Sequence, residues 1–477
     1  MWQPVLMISG YFISVLGMAM LFPAALDIIY TNAKWSNFIT SSIIAFFIGL
    51  SLFLSNRGKI RDISLRQAYL LTAISWFSVT LLAAIPFALY GTSFAGAVFE
   101  AASGISTTGA TIYADVEALP RSVLLWRSLL NGMGGIGIVI FAIAMLPFLG
   151  IGGMQIFQRE NSDINEKFMP KISYIAKRII IVYVTLVIAC LLSLKLAGMN
   201  WFDALCHAMS SIATGGFSTK NASVGGFHSP SIEWIITLFM FLGALPLTFY
   251  HSLLATRNIH SIRSTQVSTF AKVLIIYILF MSIWLSYNGV YDFWTAVRQS
   301  SFNIVSIVTT TGFVSTDYLN WGMFATTAFV VFSLTGGCTG STSGSIKIFR
   351  WQVIWAQLKR AMVTTLEPNR ISPLKVGIVP ISAEVTGSVY ILFIAFGLSL
   401  ISLTLLVSLF GYDFATSFSA VVACMTNAGP GVVASIGPAG NYAFFPDAVK
   451  YILAFSMLLG RLEVMTILVI FTKNFWK

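Results

Sequence analysis

The chain has 477 residues, 57% hydrophobic and only 9% charged, with a net charge of +11 at pH 7 and a mean hydropathy of +0.84. Apolar stretches of about twenty residues recur down its whole length. This excludes a soluble enzyme or a nucleic-acid-binding module and predicts an all-α polytopic membrane protein of about ten transmembrane helices.

The first apolar run, over 1–29, is too long for a signal sequence and lacks a basic start, so it reads as a retained helix. With a second run over 38–56 it forms a hairpin joined by a polar turn from Thr31 to Ser36. Four units follow, each reading as a long helix, a short helix, a glycine loop and a second long helix. Unit one spans 61–158, with helices over 67–90, 93–106 and 123–149. Unit two spans 159–258, with long helices over 174–198 and 231–254 and a short helix opening at Trp201-Phe202-Asp203-Ala204. Unit three, 259–350, has a helix over 270–288, a short helix from Phe293 and an apolar run over 323–334. Unit four, 351–477, has a helix over 382–410, a short helix from Phe414 and a final run from Tyr451 to Phe471. The N-terminal hairpin occupies 1–60.

The short helices span about four turns, too few to cross a hydrocarbon core of about 30 Å. Irregular backbone at that depth is tolerated where it lines a watery path or is buried in protein. Each short helix ends in a related tripeptide: Thr107-Thr108-Gly109, Ala213-Thr214-Gly215, Thr310-Thr311-Gly312 and, more loosely, Asn427-Ala428-Gly429. A repeat of this period signals copies of one structural unit. Four loops supplying backbone carbonyls and threonine hydroxyls, each with a glycine free to reach positive φ, suit a filter for a dehydrated cation. The short helices aim their partial negative C-terminal ends at the same axis.

Two further features interrupt the pattern. Thr335 to Ser345 holds Gly336, Gly337, Gly340 and Gly344 among small polar residues. It breaks the second span of unit three and is predicted to gate the pore below the filter. Arg461 lies inside the last apolar run, where a charge costs about 2.5–3.5 kcal/mol. It is expected either in the pore, as a barrier to the permeating cation, or in an interhelical salt bridge, for instance with Glu384. Glu463, two residues on, does not pair with it simply.

The basic residues cluster in alternate loops: Arg57 to Arg66, Arg159 to Arg178, Arg257 to Lys272, Lys347 to Lys375, and Lys473 with Lys477. The positive-inside rule then places both termini in the cytoplasm. The opposite loops carry Glu100, Asp115, Glu117, Asp203, Glu233, Asp292, Asp317, Asp413 and Asp447. These either concentrate cations at an outer mouth or only keep outer loops wet. The four cysteines and four histidines show neither disulfide nor metal-site spacing. Signatures of a metalloprotease or of a nucleophile elbow are missing, so no enzyme is expected. A solute transporter with inverted two-part symmetry would lack four parallel units.

These residues carry a resemblance over essentially the whole chain. The loops Thr107 to Thr111, Ala213 to Thr219, Thr309 to Thr316 and Asn427 to Val432, the break at Gly336 to Ser345, and Gly460-Arg461-Leu462-Glu463 resemble the Trk/Ktr/HKT superfamily of potassium transporters. The N-terminal hairpin resembles the TrkH branch rather than the shorter Ktr subunits. The resemblance implies potassium uptake across the bacterial cytoplasmic (inner) membrane, with potassium held at the filter residues and no covalent cofactor. It implies a homodimer with a pore in each subunit and a cytosolic, nucleotide-binding ring of the TrkA type docked on the basic loops. Some plant relatives carry Ser at the first filter position and favour sodium, so Gly109 points to potassium. Thr339 and Ser343 depart modestly from the family's gating loop.

Overall fold

A computed structural model describes residues 2–32, 34–58, 63–149, 168–250, 265–370, 373–377 and 379–477. Lys59, Arg61, Arg159, Lys167, Arg257 and Arg263, which belong to the basic loops, lie outside the described residues. In chain order the main helices are α1 (Trp2–Ala19), α2 (Leu21–Ile29), α3 (Trp35–Ser55), α4 (Leu65–Leu89), α5 (Phe94–Ile105), α6 (Arg121–Leu149), α7 (Phe168–Leu196), α8 (Trp201–Ile212) and α9 (Pro230–Gly243). They continue as α10 (Thr265–Tyr287), α11 (Phe293–Val308), α12 (Met323–Ser333), α13 (Ile348–Leu366), α14 (Ala383–Ser408), α15 (Phe414–Met425), α16 (Asp447–Arg461) and α17 (Val464–Leu468). Among the described residues the only strands are a two-residue antiparallel pair, Lys375–Val376 with Val379–Pro380.

Seven of these helices or helix pairs are long and apolar enough to cross a membrane, and the bent pair formed by α16 and the helical turns after it makes an eighth. The shorter apolar helices α9 and α12 follow the glycine loops of units two and three. Counted as broken spans, they bring the total close to the expected ten.

Local chemistry explains where the helices stop. Pro23 has no N–H for the carbonyl of Ala19, and its ring crowds that carbonyl, so α1 ends there and α2 restarts after Met20. In the same way Pro246 lies four residues beyond Leu242, and α9 stops at Gly243. The predicted helix over 231–254 is therefore shorter than the apolar pattern suggests. The final run also departs from expectation. It is not one helix with Arg461 at its centre, because the chain turns by 110° between α16 and the segment from Val464 to Phe471. Glu463, at φ +60°, occupies the bend.

The N-terminal hairpin packs through small residues. A side chain at Gly10 would meet the Gly49 carbonyl, and one at Gly17 would meet Ala45 and the Ser42 backbone. Such close approach is how apolar helices gain contact where lipid is as apolar as they are. The turn after α2 is fixed by buried Asp27, which accepts hydrogen bonds from Tyr90 and from Asn32 Nδ2. Two large cores follow. One joins the hairpin with units one and four, and the other joins units two and three. The short helices α5 and α15 belong to the first and α8 and α11 to the second, each with most of its residues buried.

Candidate ion pathway

The four short helices are built alike from end to end. Each starts on a polar cap: Ser93, Asn200, Asp292 and Asp413 accept the backbone N–H of the residue three positions on. Hydrogen bonds from Thr295 and Thr416 hold the Asp292 and Asp413 carboxyls below the usual carboxylate range. Each helix ends on a paired hydrogen-bond closure around one residue in the left-handed region. In α5 the N–H of Thr107 donates to Gly104 (3.1 Å) and that of Thr108 to Ser103 (2.8 Å). The same pair recurs at Thr214 and Gly215, at Thr310 and Thr311, and at Asn427 and Ala428. The left-handed residues are Thr107 (φ +54°), Thr214 (+52°), Thr310 (+59°) and Asn427 (+58°).

This register corrects one expected position. Counting from the left-handed residue, Gly109 corresponds to Gly216, Gly312 and Gly429, and these four have φ between +72° and +85°. Gly215 instead matches Thr108, Thr311 and Ala428, and Ala213 precedes the left-handed residue. The predicted Ala-Thr-Gly of unit two is thus read one residue early; the matching tripeptide is Thr214-Gly215-Gly216.

The four segments meet in a closed ring. A Cβ built on Gly109 would fall against the carbonyl oxygen of Gly215. On Gly216 it would meet the carbonyl of Thr311, on Gly312 that of Ala428, and on Gly429 that of Thr108, each closer than 3.0 Å. Every unit therefore presses a glycine on the same carbonyl of the next unit, and the fourth closes on the first. Glycine is required twice over, by positive φ and by the neighbouring oxygen. Outside the ring lies a polar cavity of about 140 Å³ lined by Gly109, Gly216, Gly312 and Gly429 together with Thr111, Tyr113, Arg127, Asn221 and Asn441.

The acids expected around this mouth divide. Glu100, Asp203 and Glu233 are buried, whereas Asp115, Glu117, Asp292, Asp413 and Asp447 are exposed. Among the described residues the cavity lining includes Arg127 and Lys220 but no carboxylate. Glu100 sits instead on Arg127 at 2.7 Å. The position seven residues before each left-handed residue is Glu100, His207, Asn303 or Ala420. The first three bond the outgoing limb of their own loop, at Thr111 and Ile112, at Ser218, and at Ser315. In unit four Ser419 does so, accepting the N–H of Val432.

Immediately inside the ring lies the glycine-rich segment. The N–H of Gly344 donates to Thr310 Oγ1 (2.7 Å), and Thr342 Oγ1 lies 3.4 Å from Thr214 Oγ1. Gly344 also packs on Asn427. The segment so touches three of the four left-handed residues. The unwound end of α9 and the end of α8 hold it: Cys338 N–H donates to Ala244 (3.0 Å), Leu247 N–H to Gly340 (3.1 Å), and the Thr342 hydroxyl to the carbonyls of Ile212 and Gly243. Gly336 and Gly340 hold positive φ. A Cβ on Gly337 would strike Ser343.

Arg461 is 3% exposed, and among the described residues none of its three guanidinium nitrogens has a hydrogen-bond partner. Glu463 pairs elsewhere, with Arg350 Nη2 at 2.6 Å and Lys347 Nζ at 3.9 Å. The alternative of a salt bridge from Arg461 to Glu384 is not formed. Sequence reasoning missed the Glu100–Arg127 and Glu463–Arg350 pairs, whose partners are 27 and 113 residues apart in the chain. It also missed Thr342. Among the described residues no cluster of His, Cys, Asp and Glu could hold a metal, and the four cysteines are free and buried.

Comparison with known proteins places this geometry. Residues 33–477 match the TrkH family model, described as a cation transport protein. The chain is 37% identical to the Trk system potassium uptake protein TrkI of Halomonas elongata, over 100% of this chain and 97% of that one. It is 33% identical to TrkH of Salmonella typhimurium over 98% of both chains. The crystal structure of the potassium transporter TrkH from Vibrio parahaemolyticus superposes with a TM-score of 0.93 at 30% identity, covering 100% of each chain. These relatives are transporters, not enzymes. A match this complete in length, sequence and backbone establishes that the chain belongs to the TrkH family of membrane cation transport proteins.

Proposed function

We propose that the protein takes up potassium across the cytoplasmic membrane through a pore whose filter is the ring of carbonyls around Gly109, Gly216, Gly312 and Gly429. The observation that carries this reading is the cyclic contact of each glycine with the next unit's carbonyl. A ring closed by the chain itself holds backbone oxygens where they can replace the hydration shell of an ion. The four helix C-termini add negative potential there. The segment 335–345 is the gate, since it fills the space under three of the four filter corners. Arg461, buried with its nitrogens unpartnered, raises the local barrier until the gate is moved. The names of the relatives, each a potassium uptake protein of a Trk system, support potassium as the cargo. The family resemblance supports a homodimer and a nucleotide-binding cytosolic ring on the basic face.

Flux into liposomes carrying the purified protein tests the filter. Potassium and rubidium should enter well ahead of sodium and lithium. Equal flux of all four would leave a pore but overturn its selectivity. Silence even with the cytosolic partner added would overturn the uptake reading.

A further inference from the structure

Units one and two are joined, just outside the ring, by the buried pair Glu100–Arg127. Both side chains are at most 2% exposed. Glu100 accepts Arg127 Nε (2.7 Å), Thr111 Oγ1 (3.1 Å) and the backbone N–H of Ile112 (3.1 Å). Arg127 donates from Nη1 to the Ser218 carbonyl (3.2 Å), and its guanidinium lies 4.0 Å from the centre of the Phe217 ring. Thr111 stands two residues beyond Gly109, and Ser218 two residues beyond Gly216. The pair therefore spans from one filter limb to the next at the same depth. The corresponding positions of the other units hold His207, Asn303 and Ala420, so this charged brace belongs to one corner.

Two buried charges cost several kcal/mol of desolvation each and are retained at a loss unless their geometry serves something. Here the contacts of both ends fall on residues that follow filter glycines. A smaller ion is held well only if the carbonyl ring contracts around it, so a brace that fixes the spacing of two limbs disfavours the smaller ion. We propose that Glu100 and Arg127 are positioning residues that hold the outer filter at the spacing that discriminates potassium from sodium. This rests on the filter reading given above.

The test is the ratio of rubidium to sodium flux in liposomes for the native chain, Glu100→Gln, Arg127→Lys and the double variant Glu100→Gln/Arg127→Gln. Loss of folded protein alone lowers both fluxes in proportion and leaves their ratio unchanged. The inference expects the ratio to fall roughly tenfold in each single variant, and no further in the double variant, because both residues act through one contact. If Glu100→Gln strands the buried guanidinium and fails to fold, Arg127→Lys decides, since it keeps the charge beside Glu100 and loses the fork that reaches Ser218. Folded variants with the native ratio would overturn the inference. A native chain that does not discriminate at all would overturn the filter reading instead.

Discussion

Threonine resists the left-handed region because its branched Cβ crowds the backbone, at roughly 1–2 kcal/mol per residue. Thr107, Thr214 and Thr310 occupy it nevertheless, with Asn427 as the fourth. Strain repeated at four equivalent corners is what a functional site holds in place through its surroundings, here through the paired closure of each short helix. The glycine two residues beyond each corner has no such latitude. Gly216→Ala would drive a Cβ into the Thr311 carbonyl at unfavourable φ, whereas Gly215→Ala has no positive φ to oppose it and meets the side-chain amide of Asn131 rather than a backbone carbonyl. Gly216→Ala should therefore abolish selective flux while Gly215→Ala loses less, and the reverse order would return the filter to the earlier register. The Thr-Gly pattern marks the loops but not this register, because unit two offers two adjacent glycines and only the hydrogen bonds to Ser210 and Ser211 choose between them. On the pore placement proposed above, removing the charge of Arg461 removes a repulsion on the permeating cation, and a barrier lower by about 1.4 kcal/mol is a factor of ten in rate. Folded Arg461→Ala should conduct roughly tenfold faster; unchanged flux would assign Arg461 to packing alone.

Broken helices do the work at the next scale. Hydropathy draws each apolar run as continuous and so overstates α9 and the final span. Pro246 was visible as a breaker, but the bend at Glu463 was not, since Gly460 stays inside α16 and the residue that takes positive φ is a glutamate. What marks it in three dimensions is charge. Glu463 holds Arg350 and Lys347, which stand at the exit of the glycine-rich segment, where Ser345 (φ +60°) and Lys347 (φ +72°) are strained. The pair thus ties the end of the glycine-rich segment, the proposed gate, to the bend of the last span. Glu463→Gln should weaken that tie by about 1.5–3 kcal/mol, the range for a hydrogen bond between charged groups. Basal flux without the cytosolic partner should then rise by roughly tenfold to a hundredfold. A folded variant as silent as the native chain would free the gate from this latch. Shortening 336–345 should act in the same direction, because the backbone bonds to Ala244 and Thr310 that keep the segment under the filter would be lost.

Over the whole molecule, the four-unit plan was legible because membrane solvation enforces it: long apolar runs must be helices, and short ones between them must be sheltered by protein. The pairs that brace the units were not legible, since Glu100 reads as an outer acid until Arg127 folds over it. The same plan fixes orientation. The short helices start at exposed or half-buried caps, Ser93, Asn200, Asp292 and Asp413, at the far end of the long helix that precedes each. The described basic residues Arg66, Lys177, Lys272 and Lys375 fall at or before the early part of those same long helices. All four long helices therefore run from a basic end to a capped end, and by the positive-inside rule we propose that the basic face is cytoplasmic. With the proposed even number of crossings, Lys477 returns to that face. Alkaline phosphatase, which matures only where disulfides form, should be inactive when fused after Lys477 and active when inserted at Asn221, beyond the second filter loop. Activity at Lys477 with silence at Asn221 would invert the molecule, and would turn the cavity above the filter toward the cytoplasm.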